Sequence, residues 1–237
     1  MSDLKRLGDT WPVDGKLEAP LRAVAAQGEY TPLSFQLYSL KDRKAVTFDV
    51  PDLKSADGTV LPSSALDMRV VKIWYQNGNG WYSYFADVDL YLCPELLLKD
   101  ENMILVDTEK KANYARISGG KKDRYIWISA PKGMTPEFNE LQEGFADAET
   151  MQPVRLDKDQ FKQFFVIVGV PENQKAGLYT GEIAVKDGSK TIASIPVKVR
   201  VLPFQLPAPA MYRDLDRPFL SSCMGGYSWN DYEKKFG

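Results

Sequence analysis

Aromatic side chains crowd one short stretch of the chain. Trp74, Tyr75, Trp81, Tyr82, Tyr84 and Phe85 flank the turn Gln76-Asn77-Gly78-Asn79-Gly80. Exposed Trp and Tyr rings stack on the C–H faces of sugars, so the group reads in two ways. It is a carbohydrate platform, or it is hairpin packing that also docks on a neighbouring domain. Tyr125 and Trp127 lie two apart on one face of a predicted strand and join either arrangement. Paired carboxylates would point to acid-base chemistry. Asp87 and Asp89 are two apart, as are Asp214 and Asp216, a spacing common on surfaces, and neither pair is assigned a catalytic role. The chain has no histidine. Ser-His-Asp and Cys-His catalysis are thereby excluded, with nearly every catalytic zinc site. Asp and Asn residues lack the spacing of a calcium loop. Gly119-Gly120-Lys121-Lys122 lacks the frame of a phosphate loop and reads as a turn. No catalytic residue, metal ligand or cofactor is assigned.

The elements that would position these groups are strands. Apolar and polar residues alternate from Thr191 to Leu202, with Ala193, Ile195, Val197, Val199 and Val201 on one face. Tyr179, Gly181, Ile183 and Val185 alternate in the same way, and Asp187-Gly188 joins the two runs as a β-hairpin. Phe161–Val170 is apolar on both faces, which suits a central strand covered on both sides. Further strands are predicted at Leu33–Leu40, Ala45–Val50, Met68–Tyr75, Trp81–Asp87 and Tyr125–Ser129, and short helical turns at Pro94–Lys99 and Pro136–Glu143. The charged stretch 132–153, with Glu137, Glu140, Glu143, Asp147 and Glu149, reads as a surface excursion, solvated or touching a cation or sugar.

These signals predict an all-β protein, an antiparallel β-sandwich over residues 1–203. From 204 to 237 the composition changes. Pro203, Pro207 and Pro209 end the last strand and stiffen a connector. Ser228-Trp229-Asn230-Asp231 then has the spacing of a capping box, opening a helix too short to stand alone. The sequence thus reads as cut at the entrance to a second domain. A net charge of -2 argues against a broad basic face and against nucleic acid as a partner. No apolar run is long enough to span a bilayer, and no signal peptide is visible. Cys93 and Cys223 are two free thiols or a single bridge.

One set of pieces is familiar. Val170-Pro171-Glu172-Asn173-Gln174-Lys175-Ala176-Gly177-Leu178-Tyr179-Thr180-Gly181 is followed by Ile195-Pro196-Val197-Lys198-Val199-Arg200-Val201-Leu202-Pro203. Upstream stand Gly28-Glu29-Tyr30-Thr31-Pro32-Leu33-Ser34-Phe35, Asp67-Met68-Arg69-Val70-Val71-Lys72 and Leu92-Cys93-Pro94-Glu95-Leu96-Leu97-Leu98. In this order the set resembles the N-terminal β-sandwich of glycoside hydrolase family 123. There the sandwich leads into a (β/α)8 barrel that releases N-acetylgalactosamine from glycans. The resemblance implies a non-catalytic, accessory sandwich, with the barrel as intramolecular partner, glycan as the parent enzyme's substrate, and a periplasmic or extracellular location. It also implies that Arg213, Asp214, Asp216 and Arg217, at the start of the barrel, are interdomain or subsite contacts. The alternative is a free-standing carbohydrate-binding module. Physically, Pro171 starts a turn, Gly177 allows a positive φ, and Tyr179 returns its hydroxyl to the backbone as tyrosine corners do.

Overall fold

A computed structural model describes residues 16–77, 90–117, 124–128 and 145–206 of the 237. The chain divides into two compact units, Met1–Gln205 and Leu206–Gly237, and every strand described lies in the first. That unit is all-β. Its strands are β1 Leu21–Gln27, β2 Tyr30–Tyr38, β3 Arg43–Asp49, β4 Leu53–Lys54, β5 Val60–Leu61, β6 Leu66–Asn77 and β7 Leu90–Leu98. Then come β8 Ile104–Asp107, β9 Ala112–Ile117, β10 Arg124–Trp127, β11 Val154–Leu156, β12 Phe161–Gly169, β13 Gly177–Asp187 and β14 Lys190–Gln205.

The strands form three sheets. The first runs β1-β14-β13-β3-β11, with β4 and β5 appended through β13. The second runs β2-β12-β6-β7, and the third β10-β9-β8. The first two face each other, because each strand turns its apolar set to one side. Val197, Val199, Tyr179 and Ile183 come from one sheet, Phe164, Val166, Val168 and Val70 from the other, and all belong to one buried core. Phe164 stacks on Phe35 at 5.2 Å within its sheet and meets Phe48 of the opposite sheet at 4.8 Å, tying the layers.

Pairing is antiparallel but for one case. β1 lies parallel to β14, Leu21 opposite Val197 through Ala25 opposite Val201. The expected β13–β14 hairpin is present, with Asp187 opposite Lys190 and Gly188 at φ 61° in its turn. β14 continues through Pro203 to Gln205, so the first of the prolines does not end it. β12 is central, between β2 and β6, but only one of its faces is fully buried, while Phe165 and Ile167 are half-covered. The short helical turn expected at Pro94–Lys99 is not formed, and these residues continue β7. β7 ends its sheet, where a missing ladder donor is tolerated, and the register slips between Lys72 and Ile73 opposite Pro94.

The tyrosine corner forms as expected. Tyr179 is 0% exposed, donates its hydroxyl to the Lys175 carbonyl at 2.6 Å and accepts from Gln174 Nε2 at 2.8 Å. The glycine expectation needs correction. Gly177 sits in extended strand, and positive φ falls on Gly28, Gly58 and Gly188. The constrained glycine of the motif is Gly181, where a Cβ would stand 2.6 Å from Leu53 Cδ2. Glycine is needed there so that β4 can lie against β13. Cys93 is a free thiol, and burial followed by the charge of Glu95 pushes its pKa up, while Cys223 lies outside the described residues. Among the described residues, no helix is long and apolar enough to cross a membrane.

Candidate functional site

Of the aromatic group around residue 80, Trp74 and Tyr75 are among the described residues. Trp74 and Tyr75 are consecutive on β6 and therefore point to opposite faces. Trp74 is half-buried, packs against the core and donates its indole N–H to Glu95 Oε2 at 2.9 Å. Tyr75 is 9% exposed and presents no ring face to solvent. Its hydroxyl reaches the Thr108 carbonyl at 3.4 Å, and its backbone is clamped by Asn113. Asn113 Oδ1 accepts from the Tyr75 N–H at 2.9 Å, and Asn113 Nδ2 donates to the Tyr75 carbonyl at 2.8 Å. This side-chain amide extends the β6 ladder sideways and fastens the three-stranded sheet to the sandwich. Trp81, Tyr82, Tyr84, Arg213, Asp214, Asp216 and Arg217 lie outside the described residues, as do Asp87, Asp89 and the turn at Gly119.

Trp127 belongs to a different surface. On the three-stranded sheet, Ile126, Ala115 and Ile104 are paired in register and face the core. The alternate positions face outward. Trp127 pairs with Tyr114, and Tyr114 with Leu105, so three large side chains cross the sheet in one row. Trp127 is 38% exposed and Leu105 50%. Tyr125 sits beside the row opposite Arg116, with its hydroxyl donating to the Asn102 carbonyl at 2.6 Å. Arg116 in turn donates to Asp100 Oδ2 at 2.6 Å. Burial pushes the Asp100 carboxyl up, but the Asn102 N–H and the Arg116 guanidinium outweigh it and hold the pKa below the ordinary range. The result is a shallow apolar strip edged by fixed, ionised polar groups. That geometry suits contact with a sugar ring through its C–H face and hydroxyls.

The sequence placed Tyr125 and Trp127 on one face. Tyr114 and Leu105 carry no such signal, because no local alternation distinguishes them. Only the pairing of β9 with its two neighbours brings them into the row.

Two of the familiar sequence pieces also meet. Gly28 donates to the Val170 carbonyl at 3.0 Å, and Val170 donates to the Glu29 carbonyl at 2.9 Å. Tyr30 lies over Gly169, where a Cβ would come within 2.7 Å of its ring. A cleft of about 350 Å³ opens there between Tyr30, Glu172 and Ser64. In the charged stretch expected to be a surface excursion, Asp147 accepts the backbone N–H groups of Lys99 and Asp100 at 2.7 and 3.0 Å, which makes it an anchor for the end of β7.

No family model matches the chain, and no curated protein does. Among solved structures, the chain is similar to a family 123 glycoside hydrolase from Clostridium perfringens, described for its hydrolysis of glycolipid glycans. The TM-score is 0.45 and the sequence identity 13%. The match covers 78% of this chain and 23% of that one, so this chain spans less than a quarter of the structure it matches.

Proposed function

We propose that this chain is the non-catalytic β-sandwich of a glycoside hydrolase of the N-acetylhexosaminidase type. It braces a sugar-cleaving barrel and meets the glycan through the outer face of the three-stranded sheet. The observation that carries the glycan contact is the in-register row Trp127–Tyr114–Leu105, with Tyr125 beside it. Support for the accessory role comes from the sequence pieces that resemble family 123, whose conspicuous residues serve folding. Tyr179 closes a corner, Gly181 admits β4, and Gly28 and Val170 join two loops. Phe204 is 51% exposed and Leu206 50%, as expected of a sandwich whose exit strand meets another domain. Arg213, Asp214, Asp216 and Arg217 then serve as interdomain or subsite contacts.

The test is a titration of Trp fluorescence with N-acetylhexosamine-containing oligosaccharides on the wild-type chain and on Trp127→Ala. The expected result is a saturable change at millimolar sugar that is absent in the variant. Unchanged emission across a broad panel, or equal binding by both proteins, refutes the contact. The second reading, a free-standing carbohydrate-binding module, rests on the same row. The coding frame beyond Gly237 separates the two: a barrel-sized continuation favours the first, a stop codon the second.

A further inference from the structure

The first sheet carries an unassigned feature on its solvent side. Strand pairing places Arg22 opposite Lys198, Lys198 opposite Thr180, and Thr180 opposite Lys54. Cross-strand partners project from the same face, so three cations and a threonine form one row across β1, β14, β13 and β4. With strands about 4.8 Å apart, the row is about 14 Å long. Arg200, two residues beyond Lys198, adds a fourth cation between Val24 and Leu178. Arg22, Lys54 and Arg200 are exposed and Lys198 half-exposed. None of the four has an ion-pair partner among the described residues. Elsewhere on the same sheet, Arg43 is matched with Asp187 and Lys186 with Asp49, while Lys44 and Lys190 have no ion pair among the described residues. The nearest acid by register is Glu182, opposite Pro196 and diagonal to Lys198, and it accepts from Ser194 Oγ at 2.5 Å.

We infer that this row binds a linear acidic glycan, one carrying sulfate or carboxylate groups at intervals along its chain. The row is one side chain wide, and Thr180 stands in it between Lys198 and Lys54, its hydroxyl donating to the Lys54 carbonyl at 3.4 Å. The core of a protein interface would instead be aromatic and depleted of charge. A chain of net charge -2 has no wider basic field for a duplex to follow, so the complementary partner is a narrow polyanion. This inference stands apart from the Trp127 row: it concerns another sheet and another kind of force.

The experiment uses the full 237-residue chain. Fluorescent chondroitin sulfate and polygalacturonate are the sulfate and carboxylate probes, with neutral dextran and a DNA duplex as controls. Binding of either acidic probe at low salt, weakening as salt rises, is expected. The variant R22Q/K54Q/K198Q/R200Q is expected to lose about tenfold or more in affinity, from four exposed or half-exposed contacts each worth a few-fold. The variant K41Q/K44Q/K111Q/K190Q, which removes the same charge elsewhere, is expected to keep it. Thermal melts confirm that both variants fold. Sulfate-only or carboxylate-only binding supports the inference and identifies the anion. No binding at low salt, an equal loss in both variants, or equally tight binding of DNA overturns it.

Discussion

The two glycines of the Gly177-Leu178-Tyr179-Thr180-Gly181 segment should respond oppositely to the same methyl group. In Gly181→Ala, the new Cβ would stand 2.6 Å from Leu53 Cδ2 and 3.5 Å from Pro51 Cγ. Leu53 is fully buried in the core, so it cannot swing away, and β4 must shift from β13. Overpacking of this kind costs about 1–3 kcal/mol. In Gly177→Ala, the Cβ meets only Tyr179 Cε2 at 3.8 Å and Ser55 Cβ at 3.9 Å, both ordinary contacts. The residue lies in extended strand, without positive φ. Alanine there restricts the unfolded chain and is expected to leave stability unchanged or raise it by about 0.4–1 kcal/mol. Urea unfolding followed by Trp fluorescence measures both, with the slope m checking that the cooperative unit is preserved. The midpoints should separate by about 1–4 kcal/mol once multiplied by m. If Gly177→Ala costs as much as Gly181→Ala, the packing of β4 is not what fixes the second glycine, and the reasoning fails.

Two further perturbations address the three-stranded sheet. Asn113→Ala leaves the buried N–H and carbonyl of Tyr75 without the partners they have at 2.9 and 2.8 Å, and is expected to cost about 2–4 kcal/mol. Hydrogen exchange should show β8, β9 and β10 losing protection before β12 does, and uniform loss would mean the amide does not fasten that sheet in particular. Asp100 has a folded pKa below its ordinary value of about 3.9, so its carboxylate stabilises the fold at neutral pH. That contribution is lost as pH falls through about 3.9 and then through the lower folded value. Asp100→Asn should therefore be less stable than wild type at pH 7 by about 1–2 kcal/mol, with the gap closing in urea titrations near pH 3. A gap that widens in acid would reverse the assignment.

The strands that are legible in the sequence are those with one wet face. β13 and β14 alternate plainly because Thr180, Glu182, Lys198 and Arg200 face water while Tyr179, Ile183, Val197 and Val199 face the core. β1 escapes notice because Ala23, Ala25 and Ala26 are too small to mark a face, and its parallel pairing with β14 has no turn to announce it. β7 escapes because Pro94 reads as a break, a rule that holds for central strands and not for one at a sheet's edge. The sites are less legible than the strands, for a different reason. Trp127, Tyr114 and Leu105 span 23 positions of the chain, and Arg22 and Arg200 lie 178 apart, so each row exists only through register. Composition is blind to the second row in particular. A net charge of -2 averages over every paired Lys and Arg on the surface, so it argues against a broad basic field and is silent about four cations gathered from three strands of one sheet. In a sheet protein the chemistry-bearing surface is a cross-strand object. Adjacent residues such as Trp74 and Tyr75 divide between faces, while residues far apart in the chain share one. Aromatic or charged crowding in sequence is therefore a weaker guide to a binding face than the pairing of strands that carry single, well-separated members of it.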